Sequence, residues 1–201
     1  MKIRAEKNAL NESVVRKHFL VSPTGGFTLT ELITVTVFVS LMAAIAIPTY
    51  LEWLPNMRLR TAAQDLRANM QKTRFEAIQQ NQSFAIVFDT VNNSYFICSE
   101  SGDGDWATLH NNTKVERIEL AKYKSGIQFG CGEATTKVVD DGNPCPADGI
   151  EYGTPLVFNS RGIGNEGYVY LEHDGNTTSY ALGTLVSGVI RVKKWVGTGW
   201  D

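Results

Sequence analysis

The chain is poor in the residues most catalytic centres use. Its three histidines, His18, His110 and His173, are scattered, and its three cysteines form no Cys-x-x-Cys. None has a histidine at metal-ligand spacing, which argues against a zinc centre. There is no Gly-x-Ser-x-Gly and no evident Cys/His pair, so no activated nucleophile is apparent. The acidic turns Asp103-Gly104-Asp105, Asp140-Asp141 and Asp174-Gly175-Asn176 lack the full oxygen-ligand spacing of an EF-hand, and plain turns are expected over calcium sites. Repeats and low-complexity tracts are absent too. A protein without catalytic, metal or cofactor residues is expected. With 43% hydrophobic and 20% charged residues in 201, the composition fits one globular domain plus a segment of another kind, and not a disordered chain.

Charge is unevenly spread. The net charge is −2, yet the first 26 residues carry Lys2, Arg4, Lys7, Arg16 and Lys17 against Glu6 and Glu12. The remainder is therefore more acidic than the whole, which argues against a broad nucleic-acid surface but leaves room for a local patch. Cys131 and Cys145 flank the stretch CGEATTKVVDDGNPC. A bridge closing that loop would contribute roughly 3 kcal/mol in an oxidising compartment, with two buried thiols as the alternative and Cys98 left over in either case.

What the sequence does have is a run without charge over residues 32–51. As a helix it would reach about 30 Å, the hydrocarbon thickness of a bilayer, with the hydroxyls of Thr34, Thr36 and Ser40 returned to helix carbonyls. The positive charge before the run places the N-terminus in the cytoplasm and the chain beyond the run outside it. A buried core helix would pass the same test. So would a secretory signal peptide cut after Ala46 in Ala44-Ile45-Ala46, which would release a soluble exported protein. Glu31 stands at the mouth of the run, where Thr28-Leu29-Thr30-Glu31 also spells a capping box.

Beyond the run, Leu59, Ala62, Ala63, Leu66, Met70 and Ala77 recur at helical spacing, so this half should lay an apolar stripe on a sheet. Pro48 and Pro55 each remove a helix hydrogen bond, and a kink or melted turn is expected there. From Phe84 the period changes. FAIVFD, VNN and SYFIC read as a hairpin, and short strands come after it at VERIEL, PLVFNS, YVYLEH, TSYALG and GVIRVKK. The expected fold is α+β: a long N-terminal helix, membrane-spanning then amphipathic, packed on an antiparallel β-rich domain. The divisions are residues 1–26, 27–54, 55–82 and 83–201. Gly162 to Gly167 spells G-x-G-x-x-G, but a strand comes next where dinucleotide binding needs a helix, so a hairpin loop is expected. Arg191, Lys193 and Lys194, with Trp195 and Trp200, form a basic cluster. Alternation puts Arg191 and Lys193 on one strand face, where they could contact DNA phosphates beside a stacking ring; cations guarding an edge strand are the plainer reading.

Gly25-Gly26, Phe27 and Glu31, together with the apolar run and Pro48, resemble the processing site of type IV prepilins. The resemblance implies that residues 1–26 are a leader, that a prepilin peptidase cuts between Gly26 and Phe27, and that the new amine of Phe27 is methylated. Glu31 would then serve subunit assembly by pairing with the Phe27 amine of a neighbouring pilin subunit. It also implies insertion in the bacterial inner membrane with the globular domain periplasmic, then entry into a pilus or pseudopilus. Phe158-Asn159-Ser160-Arg161-Gly162 and Gly188-Val189-Ile190-Arg191-Val192 resemble the GspH/FimT branch of pseudopilins and minor pilins. That branch implies a structural subunit of a type IV pilus or type II secretion filament, and includes DNA-binding members.

Overall fold

The structure, a computed structural model, describes residues 26–201 apart from 107, 125, 140–142, 154, 175 and 176. A leader over residues 1–26 and the Asp140-Asp141 turn lie almost wholly outside the described residues. Helix α1 (Leu29–Gln79) runs through two compact units that divide after Ala44. In the first unit the described residues are the start of α1 and its approach, with side chains almost all exposed.

The second unit holds the rest of α1 and eight strands: β1 (Phe84–Asp89), β2 (Ser94–Glu100), β3 (Thr113–Glu119), β4 (Ile127–Phe129), β5 (Leu156–Phe158), β6 (Gly167–His173), β7 (Ser179–Thr184) and β8 (Ile190–Lys194). They form two antiparallel sheets, ordered β3-β2-β1-β5 and β4-β6-β7-β8. The helix stays continuous through Pro48 and Pro55. Each proline withholds the amide that the carbonyl four residues earlier would receive.

One core joins helix and sheets. Leu59, Ala62, Ala63, Leu66, Met70 and Ala77 are buried, at the spacing the sequence sets out, and Thr73 joins them by returning its hydroxyl to the Asn69 carbonyl at 2.7 Å. Against this stripe lie Phe84, Ile86, Tyr95, Ile97, Leu156 and Phe158 of one sheet and Val169, Leu171 and Leu182 of the other. Alternation along the strands turns their neighbours outward. There Ala85, Val87, Phe96 and Cys98 are covered by Trp106 and Leu109 of the β2–β3 loop. Tyr168, Tyr170 and Ala181 are covered by Cys131, Ala134, Val138 and Cys145 together with Trp195 and Trp200. Burial on both faces is why FAIVFD and SYFIC are nearly continuous apolar runs instead of alternating ones.

Side-chain bonds fix the level at which β2, β3, the β5–β6 connection and the turn at Tyr123 meet the helix. Arg74 Nε donates to the Gly162 carbonyl at 2.9 Å, and Lys72 meets Glu116 at 2.9 Å. Asn69 donates to the Tyr95 hydroxyl at 2.7 Å, and the Tyr123 hydroxyl donates to Asp65 at 2.6 Å. The β1–β2 turn closes on Asp89, whose carboxylate accepts from the Asn92 amide and side chain, while Asn93 takes a left-handed φ of 44°. Those Asn92 bonds hold the Asp89 carboxyl below its ordinary pKa. Cys131 and Cys145 are joined as a disulfide, with Cα atoms 6.3 Å apart. It cinches the loop that lies over Tyr170, whose hydroxyl accepts from the Val138 amide at 3.1 Å. Cys98 is a buried thiol, its pKa pushed up by burial.

Two measurements check this packing. Replacing Cys131 and Cys145 together by Ser should cost the full chain in detergent about 3 kcal/mol in a urea titration, an unchanged midpoint counting against the role given to the bridge. Burial pushes the Tyr95 phenol up to about 12 and raises Tyr152 as well. In the unfolded chain both titrate near 10. Because the folded pKa values are raised, their stabilisation is intact below about pH 10 and is lost as pH climbs toward 12. Thermal midpoints should therefore fall across that window, less steeply in Tyr95→Phe.

Candidate functional site

In the first unit the chain enters α1 through a cap. The Glu31 amide donates to the Thr28 hydroxyl at 3.2 Å, so Thr28 satisfies one of the amides that a helix start leaves orphaned, and its carbonyl accepts the first helix bond from the Leu32 amide at 3.1 Å. Glu31 lies in the first turn, where a carboxylate suits the positive helix end. Thr34 returns its hydroxyl to the Thr30 carbonyl at 2.8 Å, Thr36 to Ile33 at 2.9 Å and Ser40 to Thr36 at 2.7 Å. These hydroxyls of the run are thus satisfied inside the helix, as an apolar solvent demands. Phe27 is 83% exposed, and Leu32, Ile33, Val35, Val37, Phe38, Val39 and Leu41 are exposed with it. The apolar window of α1 has a mean hydropathy of 2.2 and no part of it is buried. A soluble core helix would be covered; this one is not.

In the second unit the two family-like motifs meet at one place. Asn159 organises the F-N-S-R-G turn, its side chain accepting from the Arg161 amide at 2.9 Å and the Ile163 amide at 3.1 Å. Gly162 takes a φ of 72° and presents the carbonyl that Arg74 binds. Gly188, with a φ of 75°, comes so close that a Cβ there would strike the Gly162 carbonyl oxygen. Arg74 therefore ties α1 to the β5–β6 turn, and Gly188 brings the β7–β8 turn onto the same point. The sequence does not single out Arg74 for this role. The signal was present in the two motifs but did not name their partner on the helix.

Gly162 to Gly167 lies on the connection that carries the chain from β5 in one sheet to β6 in the other, and is not the hairpin loop expected, because these two strands do not pair; a local turn is closed by the Asn159 amide on the Ile163 carbonyl at 2.9 Å. Strand β6 comes directly after it, so no helix N-terminus stands ready for a pyrophosphate. Asp103 is engaged in its own turn, accepting from the Asp105 amide at 2.8 Å. Among the described residues no three His, Cys, Asp or Glu side chains gather where a metal could sit.

The basic cluster is divided by the structure. Strand β8 is the edge of its sheet, with Arg191 opposite Gly183, Lys193 opposite Ala181 and Lys194 opposite Tyr180. Arg191 and Lys193 share a face, as alternation requires, and the Arg191 charge lies near the Tyr168 phenol, whose pKa it lowers against the dominant effect of burial. Lys194 projects to the face that packs on α1. Trp195 is 4% exposed, packed against Trp200 at a ring distance of 5.4 Å. Trp200 in turn donates its indole N–H to the Thr136 carbonyl at 2.8 Å. Trp195 is thus core and not a platform for a base.

A helix with one exposed apolar half, the other half roofed by antiparallel sheets, is the fold of a pilin-like subunit. A family model described as type II transport protein GspH matches residues 62–188, from within α1 to just before β8. The chain belongs to that family, and is a GspH/FimT-type minor pilin or pseudopilin with a structural role. Among solved structures it is similar to the minor pseudopilin EpsH from the type 2 secretion system of Vibrio cholerae, at 16% identity and a TM-score of 0.46 over 67% of this chain and 95% of that one. It is also similar to the type IV minor pilin FimU of Pseudomonas aeruginosa, at 15% identity and a TM-score of 0.49 over 73% and 94%. No curated protein matches the chain in sequence. The family and the single apolar N-terminal helix support membrane anchoring and a place in a pilus or pseudopilus.

Removing the guanidinium in Arg74→Met should leave the Gly162 carbonyl short of a charged donor and cost about 1.5–3 kcal/mol in chemical denaturation. Gly188→Ala should cost at least as much through strain at positive φ. Because both act on one carbonyl, the double variant should lose less than the sum. Strict additivity would show that the two turns are held independently.

Proposed function

We propose that the chain is a prepilin whose residues 1–26 are removed by a prepilin peptidase between Gly26 and Phe27, with methylation of the Phe27 amine. It then spans the inner membrane, N-terminus in the cytoplasm and β domain in the periplasm, until it enters a type II secretion pseudopilus or a type IV pilus. The observation that carries this reading is the contrast within α1: large apolar side chains stay exposed before Leu51, while the later stripe is fully covered. Such a surface needs lipid first and neighbouring helices afterwards.

Glu31 supplies the register. A carboxylate entering a bundle of apolar helices is costly unless neutralised. Its partner in a filament is the cationic amine of Phe27 on the next subunit. At about 4 Å and an effective dielectric of about 20, that pair attracts by about 4 kcal/mol before desolvation is subtracted. Pro48 and Pro55 mark where the helix bends or unwinds as the subunit seats, since two carbonyls there already lack donors.

The test is Glu31→Ala in native cells. The variant should be shortened to Phe27 like the wild type, because the cut lies outside the pairing, yet should be depleted from sheared or purified filaments. Wild-type incorporation would refute the pairing role, whereas failure of cleavage would move Glu31 into recognition by the peptidase.

A further inference from the structure

The charge-free run closes at Leu51, and two large amphipathic rings stand beside its end: Tyr50 and Trp53, each 56% exposed. Tyr50, Trp53 and the exposed Met57 occupy the side of α1 away from buried Leu59 and Leu66. Tyrosine and tryptophan concentrate where hydrocarbon gives way to headgroups, because the ring prefers the one and its polar tip the other. The next charges along the helix are Glu52, Arg58 and Arg60. Glu52 comes two turns before Leu59 and so points to the side that carries the sheets.

Arg60 is exposed and Arg58 half-buried. Arg60 lies near the Tyr180 phenol, whose pKa its charge lowers against the dominant effect of burial. Opposite Tyr180 on the edge strand is Lys194, also exposed. Arg60 and Lys194 therefore stand at one level of α1, and Arg58, two residues from Arg60, lies at nearly the same level on another side of the helix. Among the described residues the side-chain ion pairs are Lys72 with Glu116, Arg117 with Glu119 and Lys122 with Asp65, and none uses these three. Asp201 meets Lys194 through backbone hydrogen bonds.

The lengths match a membrane surface. At about 1.5 Å per residue, Arg58 and Arg60 stand about 10 and 14 Å beyond Leu51. A headgroup layer is roughly 5–8 Å deep on each side of the hydrocarbon. Helical side chains lean toward the helix N-terminus, which here is toward the bilayer, and an arginine extended by roughly 6 Å returns its guanidinium to the phosphates.

We propose that Tyr50, Trp53, Arg58, Arg60 and Lys194 form a seat for anionic phospholipid headgroups, holding the β domain against the membrane surface while the subunit waits in the bilayer. The seat rests on the proposed insertion of the apolar run in the membrane. Its rings fix the depth of the helix and its cations select negative lipid over zwitterionic. Each cation near an anionic surface is worth about a fivefold change in the docked population, so three together amount to roughly a hundredfold. Leaving the seat is then part of entering the filament.

The full chain is placed in nanodiscs of phosphatidylcholine alone or with phosphatidylglycerol, and amide hydrogen exchange is measured at β8 and the residues after it. Insertion is read separately, by co-elution with the disc and by quenching of Trp53 with brominated lipid, using Trp53→Phe as the blank. Phosphatidylglycerol should slow exchange at β8, high salt should reverse it, and the triple variant Arg58→Gln, Arg60→Gln, Lys194→Gln should abolish it while still inserting. Equal exchange in the two lipids, with insertion intact, overturns the seat and leaves the filament reading standing. Failure to insert overturns both. Equal protection by inorganic phosphate in phosphatidylcholine discs overturns the lipid assignment in favour of a soluble anion.

Discussion

Everything in the second unit depends on one stripe of α1. Leu59, Ala62, Ala63, Leu66, Met70 and Ala77 provide the surface on which both sheets close, and the alanines allow close approach of strands bearing Phe84, Tyr95 and Phe158. At about 1.5–3 kcal/mol for each large side chain buried, this shared core outweighs any single polar bond in the domain. The bonds from Arg74, Lys72, Asn69 and Asp65 instead set the level at which strands meet the helix. The two outer faces are closed by loops, one of them cinched by the Cys131–Cys145 bridge.

The same helix makes the opposite statement in its first half. There the side chains are as apolar as those of the stripe, but among the described residues nothing covers them. The imbalance is a functional feature. A surface of more than ten exposed Leu, Ile, Val, Phe and Met side chains would cost on the order of 20 kcal/mol or more in water, so its normal environment is lipid or other helices. Thr34, Thr36 and Ser40 fit that environment because their hydroxyls are already spent on the backbone.

Much of this was legible in the sequence, and the reasons are local. The helix stripe appears as a 3.6-residue period, and seven of the eight strands as short β-branched and aromatic runs between turn residues. Strand β4 escaped because Ile127–Phe129 is three residues long and is held by pairing with β6 and by the Asn93 side chain, neither of which leaves a local mark. The disulfide could be named as a candidate pair from loop chemistry, though only its geometry excluded two free thiols. Trp195 illustrates the opposite error: beside three cations it reads as exposed, yet its cross-chain neighbours Tyr168, Tyr170 and Ala181 bury it. Arg74 was hidden for a similar reason, since its partner is 88 residues away in sequence.

The central claim is that the exposed half of α1 belongs to a processed filament subunit. It is tested most directly by the intact mass and N-terminal peptide of the protein taken from its native cells. The account predicts N-methylated Phe27 as the first residue. A chain beginning at Ile47, or one retaining residues 1–26 in the assembled state, would contradict it.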